Sequence, residues 1–116
     1  MRKKKKIFCF DIDGVICSKV KSNYMRAKPK KESIKMINKL FEKNYIIIFT
    51  SRYMGRNKDN IQKAKIEGYK KTYKQLIEWK LKFDELRFGK PSFDYLIDDK
   101  SIFFKRNWHK YLIKFI

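Results

Sequence analysis

The chain has 116 residues, 43% of them apolar, which suits one modest core and excludes both a second full domain and a disordered chain. Lysine and arginine number 31 against 12 acidic residues, a formal net charge of +19, so small anions are drawn toward this protein whatever else it binds. No run approaches the ~18 apolar residues of a membrane span, and two cysteines, Cys9 and Cys17, give neither a metal spacing nor a disulfide framework.

The N-terminus, Met1 and Arg2 followed by Lys3, Lys4, Lys5 and Lys6, imitates the start of a secretory signal. Asp11 and Asp13 interrupt the apolar stretch after four residues, so the expectation is a soluble cytoplasmic protein whose basic start is a solvated lead-in to a strand. Residues 7–12 predict a central parallel strand, with Cys9 as a small core residue. Residues 14–28 read as a loop of a length that usually carries function. Pro29 opens a helix in which Ile34, Ile37, Leu40 and Phe41 recur at helical spacing through Lys43, with Asn44 ending it in the left-handed conformation. Residues 45–49, Tyr-Ile-Ile-Ile-Phe, predict a strand buried on both faces, followed by a polar loop over 53–60. A short helix is expected over 61–66, broken at Gly68, and a second from Thr72 as N-cap to about Lys82. Residues 85–88 and 93–97 read as third and fourth strands, Ser101 as the cap of a last turn through Phe104, and 108–116 as a short edge strand. Strands alternating with helices predict one α/β domain over 1–116, a central parallel sheet flanked by helices with its strand C-terminal ends on one edge. Ligands of open α/β sheets bind at such an edge.

Four polar clusters would collect there. Asp11 and Asp13 flank one residue at a strand end, so one carboxylate could attack phosphorus while the other serves as general acid and base. Asp-x-Asp-Gly also opens calcium loops, but no calcium-loop ligands follow at the right offsets. Thr50 ends the second strand with a hydroxyl suited to a phosphoryl oxygen, and Ser51 and Arg52 follow as substrate-side groups, Arg52 through a bidentate contact. Lys90, held extended by Pro91 and given close approach by Gly89, would balance charge on a phosphoryl group. Asp98 and Asp99 end the fourth expected strand, and adjacent carboxylates there call for a cation, most economically Mg²⁺. His109, the only histidine, reads as a tail residue.

These residues resemble the haloacid dehalogenase superfamily of phosphotransferases. Phe10-Asp11-Ile12-Asp13-Gly14 matches its first motif, Phe49-Thr50-Ser51-Arg52 the second, Gly89-Lys90-Pro91 the third and Ile97-Asp98-Asp99 the fourth, in order, across roughly residues 7–104. Thr50-Ser51-Arg52-Tyr53-Met54, Trp79, Phe83-Asp84-Glu85-Leu86 and Lys100 are similar to the small phosphatases of bacterial capsule and polysaccharide biosynthesis. Val15 stands where many members have Thr. The resemblance implies a Rossmann-like fold and a Mg²⁺-dependent phosphomonoesterase acting on a small phosphorylated substrate, a sugar phosphate or polysaccharide precursor. It implies Asp11 as nucleophile forming an aspartyl-phosphate, Asp13 as acid and base, and Thr50 and Lys90 holding the phosphoryl group. Mg²⁺ would sit on Asp11, Asp98 and the backbone carbonyl of Asp13, with Asp99 a ligand through water or a support. About 36 residues separate Asp13 from Thr50 and about 40 separate Thr50 from Lys90, so neither gap holds a full cap domain. The site would be open, covered only by residues 15–28, from which Tyr24 and Arg26 could reach substrate, or enclosed by a partner subunit of a homo-oligomer.

Competing readings stay open. The positive charge and open site also suit a nucleic-acid 3′-end phosphatase, although lysines spread along the chain read first as biased composition. A receiver-like phospho-acceptor uses similar groups, but there the lysine comes last, whereas Lys90 precedes Asp98 and Asp99. A basic binding module with a decayed site is the remaining alternative.

Overall fold

A computed structural model describes residues 5–116. Three strands form the sheet: β1 (Ile7–Phe10), β2 (Tyr45–Thr50) and β3 (Glu85–Phe88), all parallel, in the order β1-β2-β3. Ile7 pairs with Tyr45 and Phe10 with Ile48, while Ile47 pairs with Glu85 and Thr50 with Phe88. This register brings the three C-terminal ends to one edge. The expected α/β architecture is therefore present, a three-stranded parallel sheet flanked by helices in a small Rossmann-like domain.

Helix α1 (Lys31–Phe41) connects β1 to β2 and buries Ile34, Met36, Ile37 and Leu40. It begins two residues after Pro29 and stops two before Lys43. Asn44 ends it differently from expectation. Its φ is not positive; instead its backbone N and side-chain Nδ2 both donate to the Leu40 carbonyl, at 2.9 and 3.0 Å, beside the Lys43 amide at 3.2 Å. In β2 burial alternates: Ile46, Ile48 and Thr50 are buried, and Tyr45, Ile47 and Phe49 only partly. The second face is thus less fully covered than a two-sided apolar run suggests. Of the basic lead-in, Lys5 and Lys6 are exposed; residues 1–4 lie outside those described.

The two helices expected between β2 and β3 are one, α2 (Ile61–Glu78), capped by Asn60, whose side chain accepts from the Lys63 amide at 3.0 Å. Gly68 does not break it, because close approach is the reason for the glycine. A Cβ there would meet the Tyr53 ring at 2.1 Å. Thr72 lies inside the helix, fully buried, and caps nothing. The helix closes through Lys80 at φ +60°, with the Leu81 amide donating to the Leu76 carbonyl, a left-handed terminus expected more often of glycine. Asn38 of α1 steadies that turn, donating to the Lys80 carbonyl and accepting from the Lys82 amide.

Beyond β3 the expectations fail. Residues 93–97 form no strand; Tyr95 and Ile97 are among the most exposed apolar side chains. Ser101 caps no helix and instead donates to the Asp98 carbonyl. The tail is a 3₁₀ helix (Trp108–Phe115), not an edge strand, and Trp108 and Leu112 are buried at a helical spacing. Its aromatics pack on β1, Phe115 at 5.3 Å from the Phe8 ring and Trp108 at 5.5 Å from Phe10. Residues 93–104 therefore lie across a cavity from β1 instead of pairing with it.

Gly68→Ala should lower stability. Alanine gains roughly 1 kcal/mol of helix propensity, but overpacking costs about 1–3 kcal/mol. The Tyr53 ring is hemmed by Tyr24, Phe88 and Arg56 and cannot retreat. Urea denaturation should show a lower midpoint; a higher one would mean the ring yields.

Candidate functional site

The chain leaves β1 through Asp11 and the fully buried Ile12, then turns at Gly14. Gly14 sits at φ +89°, and the amides of Val15 and Ile16 both donate to the Ile12 carbonyl. Asp11 Oδ1 accepts from the Ile12 amide at 2.8 Å, fixing its carboxylate at the strand end. Lys30 reaches the same turn, its Nζ 2.9 Å from the Gly14 carbonyl.

Lys90 arrives from β3. Gly89 adopts φ +103°, the Lys90 amide donates to the Thr50 carbonyl at 3.2 Å, and the side chain turns toward β1. Its Nζ stands 3.3 Å from Asp11 Oδ2. The pair is about one-third exposed at Asp11, so in stability it resembles a surface ion pair, of order 1 kcal/mol or less. Its significance is that an ammonium is aligned beside a strand-end carboxylate. Thr50 is fully buried at the end of β2, and its Oγ1 accepts from the Arg52 amide at 3.1 Å. Ser51 follows at the same edge, its carbonyl accepting from the Met54 amide.

Arg52 is not a substrate-side group in this arrangement. Its side chain is fully buried and forks onto Asp13, Nε to Oδ2 and Nη2 to Oδ1, each at 2.9 Å. Nη1 donates to Gln75 Oε1 at 2.6 Å. Tyr24 stacks on the guanidinium at 4.8 Å, so it too faces the protein, while Arg26 is exposed. Asp13 keeps 20% of its side chain exposed.

Cys9 departs from the core role expected of it. Cys9 is exposed on the cavity wall, although partial burial still raises its pKa. Cys17 is fully buried with Sγ 3.5 Å from Asp13 Oδ1; desolvation, then the Asp13 charge, pushes its thiol up to about 12. His109 packs its ring beside Trp108 and does not line the cavity that holds Asp11 and Lys90.

Asp11, Lys90 and Asp98 line one cavity of about 750 Å³, with Val15, Pro91 and Phe93 among its walls, a size in the range of small-molecule sites. Of the three carboxylates expected around Mg²⁺, those of Asp11 and Asp98 share this cavity, and Asp99 is exposed and outside it. Asp13 is expected there only through its backbone carbonyl; its side chain is committed to Arg52. Asp98 Oδ1 accepts from the Lys100 amide within its own turn. Among the described residues no group of three or more His, Cys, Asp or Glu could hold a metal. What the cavity supplies is two carboxylates, Asp11 and Asp98. A Mg²⁺ ion held there would need waters and a substrate phosphate to complete its shell.

Gln75 is the polar group that the sequence pattern did not single out. Thr72, Gln75, Leu76 and Trp79 recur at 3–4-residue spacing, so a glutamine in the apolar phase of a helix was the available signal.

The thiol makes a pH prediction. Cys17 titrates near its ordinary value of 9 when unfolded and near 12 when folded. Its contribution to stability is complete below pH 9 and is lost as pH rises toward 12. Urea midpoints between pH 7 and pH 11 should fall more steeply for the native chain than for Cys17→Ala; parallel curves would remove the thiol from the account.

None of the described helices is long and apolar enough to cross a membrane. No protein-family model and no curated protein matches the chain. Among solved structures, the crystal structure of an MCSG target from Vibrio cholerae is similar, with a TM-score of 0.79 over 84% of this chain and 83% of that one at 24% identity. That likeness establishes a shared fold.

Proposed function

We propose that the chain is a phosphomonoester hydrolase working through an aspartyl-phosphate on Asp11. The observation that carries this reading is the Lys90 ammonium 3.3 Å from Asp11 Oδ2 at the edge that also holds Asp13 and Thr50. Asp11 attacks phosphorus through a carboxylate oxygen as the bond to the leaving oxygen breaks. Asp13, carrying a proton on a lone pair outside the Arg52 fork, gives that proton to the leaving oxygen and becomes a carboxylate. It then removes a proton from the water that attacks the aspartyl-phosphate, releasing inorganic phosphate and restoring Asp11. Lys90 offsets the negative charge that the phosphoryl oxygens bring beside Asp11. Mg²⁺, held by Asp11 and Asp98, would supply further charge neutralisation.

The open cavity and the net charge of +19 support a small phosphorylated substrate, a sugar phosphate or polysaccharide precursor. The net charge of +19 keeps a 3′-phosphorylated nucleic acid in the comparison.

Phosphate release should be measured from sugar phosphates, nucleotides and 3′-phosphorylated oligonucleotides, with Mg²⁺ and with EDTA. Metal-dependent turnover of one class is expected, the sugar phosphates first. Asp11→Asn should abolish turnover while leaving the fold intact, and Asp98→Ala should raise the Mg²⁺ concentration needed for half-maximal rate. Release from no substrate by folded protein would overturn the proposal.

A further inference from the structure

We infer that Gln75 is a positioning residue for this hydrolysis, holding the Arg52 guanidinium that orients Asp13 and tying the loop that carries Tyr24 to the same group. The inference rests on the phosphatase reading and deepens it. Gln75 is buried on α2, where an unpaired amide costs free energy. Both of its ends are used. Oε1 accepts from Arg52 Nη1 at 2.6 Å, and Nε2 donates to the Tyr24 carbonyl at 2.9 Å. The amide has one workable orientation, because a guanidinium only donates and a carbonyl only accepts.

The consequence follows from the shape of arginine. Its five donors lie in one rigid plane, so fixing Nη1 fixes the plane of Nε and Nη2, and with it the positions of both Asp13 oxygens. The Tyr24 ring presses on that plane from one side at 4.8 Å. Arg56 secures the loop a second time, Nη2 donating to the Ser22 carbonyl at 2.6 Å. Proton delivery to a leaving oxygen is sensitive to displacements of about 1 Å. A glutamine that touches no substrate thus sets the aim of the acid and, through Tyr24, couples that aim to the seating of the loop.

The test uses leaving groups. An alkyl phosphate needs its leaving oxygen protonated, whereas 2,4-dinitrophenyl phosphate expels a stable anion and does not. Gln75→Leu should lower kcat/KM for the alkyl ester by about tenfold or more, within the 10²–10⁴ that general acid catalysis supplies. For the dinitrophenyl ester kcat/KM, which reads only the transfer to Asp11 and not the later water step, should hold to about twofold. Gln75→Glu keeps an acceptor for Arg52 and should restore the native ratio of the two rates, although it gives up the donor to Tyr24. If Gln75→Leu does not fold, Arg52→Lys, which loses the fork, carries the same expectation. An equal fall on both esters, or none, would overturn the role of Gln75. A native chain inactive on both would overturn the phosphatase reading instead. In that case the Arg52 Nε proton, slowly exchanging by NMR in the native chain and fast in Gln75→Leu, would still report the relay.

Discussion

A buried arginine cannot be neutralised, so the fold around Arg52 has to supply a carboxylate, further acceptors and a cover, or not form. It supplies Asp13 from beyond β1, Gln75 from α2 and the Tyr24 ring from the loop, around a residue placed by the end of β2. Desolvating such a pair is expensive, and only good geometry with all remaining donors occupied offsets it. That condition ties four separate segments together. The helix must present Gln75 at one rotation, which Gly68 makes possible by letting α2 settle onto Tyr53. Tyr53 in turn takes a positive φ of 67°, a cost met by packing against Tyr24 and Phe88.

Beside this rigid centre lies a softer one. Asp11 and Lys90 meet at the cavity mouth, each positioned by backbone: Asp11 by its bond from the Ile12 amide, Lys90 by the bond from its own amide to Thr50 and by the glycine before it. The two aspartates two residues apart thus occupy different surroundings. Asp13 is clamped, and Asp11 is partly solvated and faces an ammonium. A division of labour between paired carboxylates needs such a difference in environment.

Much of this was legible in the sequence, for physical reasons. The runs ending at Asp11 and Thr50 are short, β-branched or aromatic, and bounded by polar residues, so their strands and their common edge could be read directly. Lys90 stood out only by lying between Gly89 and Pro91, and it does arrive at Asp11. Arg52 was misassigned because a chain with 31 basic residues gives no sign of which one is buried. Gly68 reads as a helix breaker because propensity is local, whereas the glycine answers a ring brought in from fifteen residues earlier. Residues 93–97 have strand composition, but a strand exists only with a partner, and the tail aromatics that pack on β1 were unreadable in advance. The expected place of Asp99 beside Asp11 depended on that strand and went with it, whereas Asp98 still lines the cavity with Asp11.

β1 pairs with β2 alone, so among the described residues its other side presents an open ladder. Nearby, Phe103 and Ile102 leave apolar surface in contact with water. An open edge beside apolar groups is a template on which another chain can add a strand. In this protein every copy carries the same surplus of 19 positive charges, which holds copies apart at long range. That repulsion extends only about 8 Å at physiological ionic strength and about 3 Å in molar salt. The lysine excess thus acts as a colloidal stabiliser for an incompletely closed sheet, and ionic strength becomes a control on solubility as much as on the attraction of small anions.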